Sequence, residues 1–272
     1  MLFAIPYPII DPVLIHIGPL PIRWYALAYI GGLILGWAYA RALAARDSLW
    51  NGAPHPTPQS LDDLLVYCAL GVVVGGRIGY VLFYNLPFYM AHPEEIPAVW
   101  KGGMSFHGGL AGAAIGIYLF ALRYRVPLLS VFDIGCAVVP IGLFLGRIAN
   151  FIKPELWGRP TDVPWAIVFP EAGPLTRHPS QLYEAGLEGL VLFILLALAI
   201  RFGALKRPGL VSGMFGIGYG MARIICEFFR EPDPQLGFLF GDATMGMLLS
   251  LPLIAIGLVV LIVALRRRPL PA

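Results

Sequence analysis

Apolar residues in this chain fall in long runs rather than in the short alternations of a soluble fold. Seven runs, near 20–40, 64–85, 106–123, 130–152, 187–203, 209–229 and 244–265, approach the roughly 20 residues that carry a helix across a hydrocarbon core. Glycines and polar residues interrupt several of them, so parts of their surfaces are expected to face protein rather than lipid. The pattern predicts an all-α, polytopic membrane protein with seven transmembrane helices. Composition agrees: 58% of the 272 residues are hydrophobic and 13% charged, against about 25% charged in soluble domains.

Lys and Arg positions orient the spans. With the N-terminus outside, the inner segments hold Arg41, Arg46, Arg123, Arg125, Arg201, Lys206, Arg207, Arg266, Arg267 and Arg268; the outer ones hold Arg23, Lys101, Lys153, Arg159, Arg177 and Arg230. Ten against six favours an outer N-terminus and a cytoplasmic C-terminus. The net charge of +3 is mostly this bias and calls for no nucleic-acid partner. The N-terminal run lacks a basic n-region and is broken by Pro6, Pro8, Pro12, Pro19 and Pro21, so no cleavable signal peptide is expected. Cys68, Cys136 and Cys226 lie inside predicted spans without a CxxC motif, and read as small buried apolar residues rather than a disulfide or metal site.

The whole chain, 1–272, reads as one integral membrane domain. Two outer elements stand out: an interfacial N-terminal segment, 1–19, and a loop region, 153–186, long enough to imply function or packing. The 47–63 connector is unremarkable, and Arg266-Arg267-Arg268-Pro269 reads as a stop-transfer anchor. Gly76-Arg77-Ile78 recurs as Gly146-Arg147-Ile148, a hint of internal similarity.

Charged residues inside the runs carry the chemistry, since an arginine at bilayer depth costs about 2.5–3.5 kcal/mol on insertion scales. Arg77, Arg147 and Arg223 lie on the second, fourth and sixth spans, about 20–26 Å from their inner starts. His107 and Tyr25 open spans on the same outer side. Arg77 either reaches headgroups or pairs with a carbonyl. Arg223 and Glu227, four apart, neutralise each other on one helix face. Arg147 shares a face with Asn150, which leaves it spare charge. Guanidinium groups in such a layer suit a phosphate, and a histidine is the natural proton acceptor near neutral pH. The glycine pairs 102–103 and 108–109 let backbone approach a bulky ligand. Together these residues indicate a membrane enzyme acting on an outer-leaflet phospholipid.

The run Gly146-Arg-Ile-Ala-Asn-Phe-Ile-Lys-Pro-Glu-Leu-Trp-Gly-Arg159 resembles the G-R-x-x-N-F-x-x-x-E-x-x-G-R pattern of bacterial prolipoprotein diacylglyceryl transferases. The resemblance continues in Ile22-Arg-Trp-Tyr25, Gly102-Gly-Met-Ser-Phe-His-Gly-Gly109, Arg177-His-Pro-Ser-Gln-Leu-Tyr-Glu184 and Glu227-Phe-Phe-Arg-Glu-Pro-Asp233. Lys153 departs from it, standing where the family commonly has Asn. The resemblance implies transfer of the sn-1,2-diacylglyceryl group of phosphatidylglycerol to the lipobox cysteine of a prolipoprotein signal peptide, as the first step of lipoprotein maturation. No metal or organic cofactor is expected, and the enzyme would work in the bacterial inner membrane among membrane lipids, facing the periplasm. His107 would take the thiol proton with Tyr25 orienting the group, while a base acting through Glu227 or an arginine-bound water stays open. Arg147 and Arg223 would hold the phosphate, Asn150 the headgroup and Glu155 its glycerol hydroxyls. Glu227 would orient Arg223, and Gly158 would permit a tight turn. Arg77, Tyr80, Tyr219 and Arg230 form a second tier. The 153–186 loop and the N-terminus are where the prolipoprotein would dock.

Other readings fit less well. A transporter would show clearer repeats and broken helices near the midplane. A serine protease would need Ser212 and His107 at matching depth, whereas they sit at opposite ends of their spans.

Overall fold

The computed structural model describes residues 5–232, 237–239, 241 and 243–266; Asp233 and the Arg267–Arg268 part of the anchoring tail lie outside them. The long helices are α1 (Trp24–Ala44), α2 (Ser60–Phe83), α4 (Phe106–Tyr124), α5 (Leu128–Ile152), α8 (Leu210–Glu227) and α9 (Met245–Arg266), with a short α3 (Leu86–Ala91) after α2. Between α5 and α8 runs one continuous helix, Ser180–Arg201: α6 (Ser180–Glu184), a π-helical stretch (Ala185–Val191) and α7 (Leu192–Arg201).

Six of these helices are long and apolar enough to cross a membrane, α8 being the long helix left out. Its four glycines, Arg223 and Glu227 lower its mean hydropathy. The apolar runs locate the helices to within a few residues, except that the fifth begins at Ser180 rather than 187. Pro179 sets its start, and Gln181 and Glu184 are buried against protein, so neither polar residue ends the helix.

The all-α expectation needs one correction. Prolines deny the N-terminal segment a helix, and it forms instead an antiparallel hairpin, β2 (Val13–Ile17) with β3 (Leu20–Arg23), turning at Gly18 with φ +60°. Ahead of it, β1 (Ile5–Pro6) pairs in parallel with β4 (Ile167–Val168) of the long loop. Tyr7 is buried there against Phe151 and Phe169, and its hydroxyl donates to the carbonyls of Phe151 (2.6 Å) and Ile152 (2.9 Å). It thereby satisfies the last orphan acceptors of α5.

Small residues let the helices pair closely, as lipid-embedded helices must without a hydrophobic drive between them. A β-carbon at Gly71, Gly75, Gly108 or Gly112 would stand 1.9–2.4 Å from a carbonyl oxygen of the opposite helix, so α2 and α4 meet backbone to backbone. Gly108 thus serves close helix packing, whereas a β-carbon on Gly109 would meet Val72 only at an ordinary 3.5 Å. Gly213 and Gly257 close α8 on α9 in the same way, and Gly32 faces Gly142 between α1 and α5. At one end of the bundle, buried Asp133 of α5 accepts hydrogen bonds from the Gly209 amide (2.7 Å) and from the Ser212 amide (2.8 Å) and hydroxyl (2.6 Å), capping α8. Leu43, Trp50, Ile134 and Leu205 form the core at that end.

Gly112→Ala is expected to overpack the α2–α4 seam by about 1–3 kcal/mol. Thermal denaturation in detergent should show a lowered midpoint, whereas Gly135→Ala, where an added β-carbon meets nothing within 4 Å, should not.

Candidate active site

Inside the bundle, three arginines meet three glutamates. Glu184 and Glu188, both 0% exposed, come from the Ser180–Arg201 helix. Glu184 pairs with Arg223 (Nη1–Oε1 2.6 Å), with Arg147 (Nη1–Oε2 3.2 Å) and with Arg230 (3.5 Å). Glu188 pairs with Arg147 at 3.4 Å and Arg223 at 3.5 Å. Glu227 closes the set on Arg223, one turn away on α8, and accepts the Thr244 hydroxyl at 2.5 Å. The π-helical stretch lies tight on α5, since a β-carbon on Gly189 would sit 2.7 Å from the Phe144 side chain.

This overturns one sequence expectation, that Arg147 carries spare charge: Glu184 and Glu188 neutralise it. Glu184 lies just ahead of the apolar run that begins at 187, and Glu188 just inside it. Their spacing of four within an otherwise apolar stretch was the available signal.

A cavity of about 620 Å3 opens between α1 and α5 beside the cluster, lined by Tyr25, Ala28, Tyr29, Gly32, Leu33, Val138, Gly142, Leu143, Arg147, Asn150 and Tyr219 among others. Its polar groups gather at one end. Asn150 donates to Glu155 Oε1 (2.8 Å) and lies 3.3 Å from the Tyr25 hydroxyl. Lys153 takes the other Glu155 oxygen at 2.6 Å, so this departure from the family pattern tethers a neighbouring carboxylate. A second cavity of about 500 Å3 shares Tyr25 and is lined by Arg23, Lys153, Glu155 and Glu171.

The remaining candidates are placed as follows. His107 stands exposed in the first turn of α4, next to Phe106, which lines the larger cavity. Arg77 belongs to a different setting. It is 4% exposed and donates to the carbonyls of Glu95, Ile96, Gly102 and Gly103 at 2.6–3.2 Å, with its guanidinium over Tyr89. It anchors the 86–103 segment, and Tyr80 lies there too, against Tyr84 and Tyr89. Gly158 does not adopt a left-handed backbone and forms an antiparallel bridge with Arg230. A β-carbon there would stand 2.5 Å from the His178 carbonyl and 2.6 Å from that of Phe229, so glycine is needed for three strands of chain to pass. The 177–184 motif packs down on the same spot: Ser180 donates to Leu156 O, Gln181 to Glu155 O, and the His178 carbonyl accepts from Gly158.

Two predictions follow from burial here. Glu184→Gln leaves a buried guanidinium undercompensated, which typically costs about 3–5 kcal/mol, and thermal denaturation should show it as a large loss of stability. His178 packs against Tyr183 and Phe229, and burial lowers its pKa below the ordinary 6.5. As pH falls through 6.5 the unfolded chain therefore binds its proton first, and stability drops with it. His178→Gln should flatten this slope in a pH series of unfolding midpoints.

Among known proteins, the family model for prolipoprotein diacylglyceryl transferase matches residues 12–263. A phosphatidylglycerol–prolipoprotein diacylglyceryl transferase of Methylocella silvestris is 69% identical over 272 residues, covering all of both chains. Proteins of that name from Beijerinckia indica (67% identical, 94% of each chain) and Rhodopseudomonas palustris (61%, covering 97% of this chain and 93% of that one) are similar along nearly their whole length. The chain belongs to the prolipoprotein diacylglyceryl transferase family.

Proposed function

We propose that this protein transfers the sn-1,2-diacylglyceryl group of phosphatidylglycerol to the lipobox cysteine of prolipoproteins, the first step of lipoprotein maturation. The observation that carries this reading is the cavity between α1 and α5, which is apolar along most of its length and ends at Tyr25, Arg147 and Asn150. That division matches an acyl chain joined to a phosphate headgroup. The arrangement we propose is a single domain with seven spans, α8 being the seventh at about 27 Å long. Its N-terminus is outside, its C-terminus cytoplasmic, and the site faces the periplasmic side of the inner membrane.

In the reaction, the cysteine thiolate attacks the sn-3 carbon of the diacylglyceryl group. A sulfur–carbon bond forms, the carbon–oxygen bond to phosphate breaks, and its electron pair stays on the phosphate oxygen. Glycerol 1-phosphate leaves, and its phosphate has gained negative charge. We assign His107 as acceptor of the thiol proton, directly or through water; it is exposed, and its imidazole has no hydrogen-bond partner among the described residues. Arg147 is the phosphate ligand. It lines the cavity, and its 3.2 Å ion pair with Glu184 Oε2 is not a formed hydrogen bond, so donor capacity is left for substrate. Arg223 backs it electrostatically. Asn150 and Glu155 hold the headgroup, with Tyr25 between the two cavities. Glu184, Glu188 and Glu227 orient the arginines. Gly158 and Arg230 support this wall from behind, and Arg77 holds the segment leading to α4.

The test uses purified protein, phosphatidylglycerol and a lipobox peptide with one cysteine. Wild-type protein should release glycerol phosphate and add a diacylglyceryl mass to the peptide. Arg147→Ala should lose about 10²-fold or more, and His107→Gln about 10²–10⁴-fold in turnover with little change in lipid binding. Turnover unchanged in His107→Gln would remove it as the base.

A further inference from the structure

At the end of the bundle away from Arg147, the turn between Arg201 and α8 closes over a cavity of about 410 Å3. Phe202, Leu210 and Met214 give it apolar walls, Lys206 and Arg207 supply its charge, and no acidic residue lines it. Neither cation has an ion pair or side-chain hydrogen bond among the described residues. Arg41, Lys101 and Lys153 are paired with Asp62, Glu95 and Glu155, whereas Arg46, Arg123, Arg125 and Arg201 share the unpaired state of these two among the described residues. The general excess of basic residues at this end accounts for where the two cations lie. It does not account for their sharing one partly apolar cavity. Lys206 folds back over Gly203, its Cδ 3.2 Å from where a β-carbon would be, and Gly203 takes φ +92° there. The α8 terminus itself is already capped by Asp133, so binding here would fall to the two side chains.

An apolar path leads away from the cavity. Leu195, Leu198 and Phe202 lie on one face of the helix and its end, exposed by 52%, 46% and 83%. A cationic cavity continuing into an exposed apolar stripe matches an amphiphile with an anionic head. We propose that this is a second, non-catalytic site for an anionic phospholipid, its phosphodiester on Arg207 and Lys206 and an acyl chain along Leu195, Leu198 and Phe202. It is distinct from the substrate cavity: the two share no lining residue, and Leu210 here and Tyr219 there are about 13 Å apart along α8. Its turn joins the helix carrying Glu184 and Glu188 to the helix carrying Arg223, so a bound lipid would hold the two halves of the charge cluster together.

Native mass spectrometry of the full-length protein in detergent tests this, with phosphatidylglycerol, phosphatidylcholine of the same chains and inorganic phosphate as probes. Wild type should retain two phosphatidylglycerol molecules, and K206Q/R207Q one, with at least a tenfold weaker second association. The charge-keeping K206R/R207K should retain both, and an unchanged elution volume and helical circular dichroism in detergent confirm that each variant is folded. Arg147→Ala should keep the lipid at this site. Equal retention by wild type and K206Q/R207Q would overturn the proposal. So would equal binding of phosphatidylcholine, or displacement of the second lipid by millimolar phosphate, which would mark a site for the free anion.

Discussion

Three guanidinium groups and three carboxylates meet in the interior of this bundle, and most of the architecture serves to bring them together. None of the six tolerates hydrocarbon alone. Arg147 on α5, Arg223 and Glu227 on α8, and Glu184 and Glu188 on the Ser180–Arg201 helix are therefore solvable only as a set. That requirement holds three helices in register. It also explains the tight backbone approach at Gly189 and the Asp133 clamp at the far end of α5 and α8, which set how those helices lie against each other.

Charge balance has a chemical consequence. In the proposed reaction, a neutral cluster would not hold an anion strongly in advance, yet it would keep desolvated guanidinium groups oriented where charge develops during transfer. Arg147 is the member placed on the cavity wall and incompletely hydrogen-bonded. Connecting segments complete the packing around the cavity: the N-terminal segment caps α5 through Tyr7, while the 177–184 motif packs the 155–159 segment beneath Asn150 and Glu155.

The two Gly-Arg-Ile tripeptides show how little a local motif says about its role. Arg77 is saturated by four backbone carbonyls and secures a connecting segment, whereas Arg147 is met by buried carboxylates beside a cavity. The difference lies entirely in what the chain brings opposite: a glycine-rich loop in one case, a glutamate-bearing helix in the other.

The positions of the long helices, the multi-pass membrane setting and the family were legible in the chain itself, because hydrophobic run length and the 146–159 motif are local properties. Tyr25, Arg147, Asn150 and Glu155 were likewise singled out from span position, spacing and the family motif, and they do line adjoining cavities. The partners were not legible. Glu184 and Glu188 lie 37 and 41 positions from Arg147, and only packing decides that they meet. The same holds for the N-terminal strands, which need the distant 167–168 segment to pair, and for Gly158, whose small size matters because two other stretches of chain cross it. Burial periodicity is written in sequence, whereas the choice of counter-charge across a bundle is made by tertiary structure, since electrostatic pairing in hydrocarbon depends on distance in space.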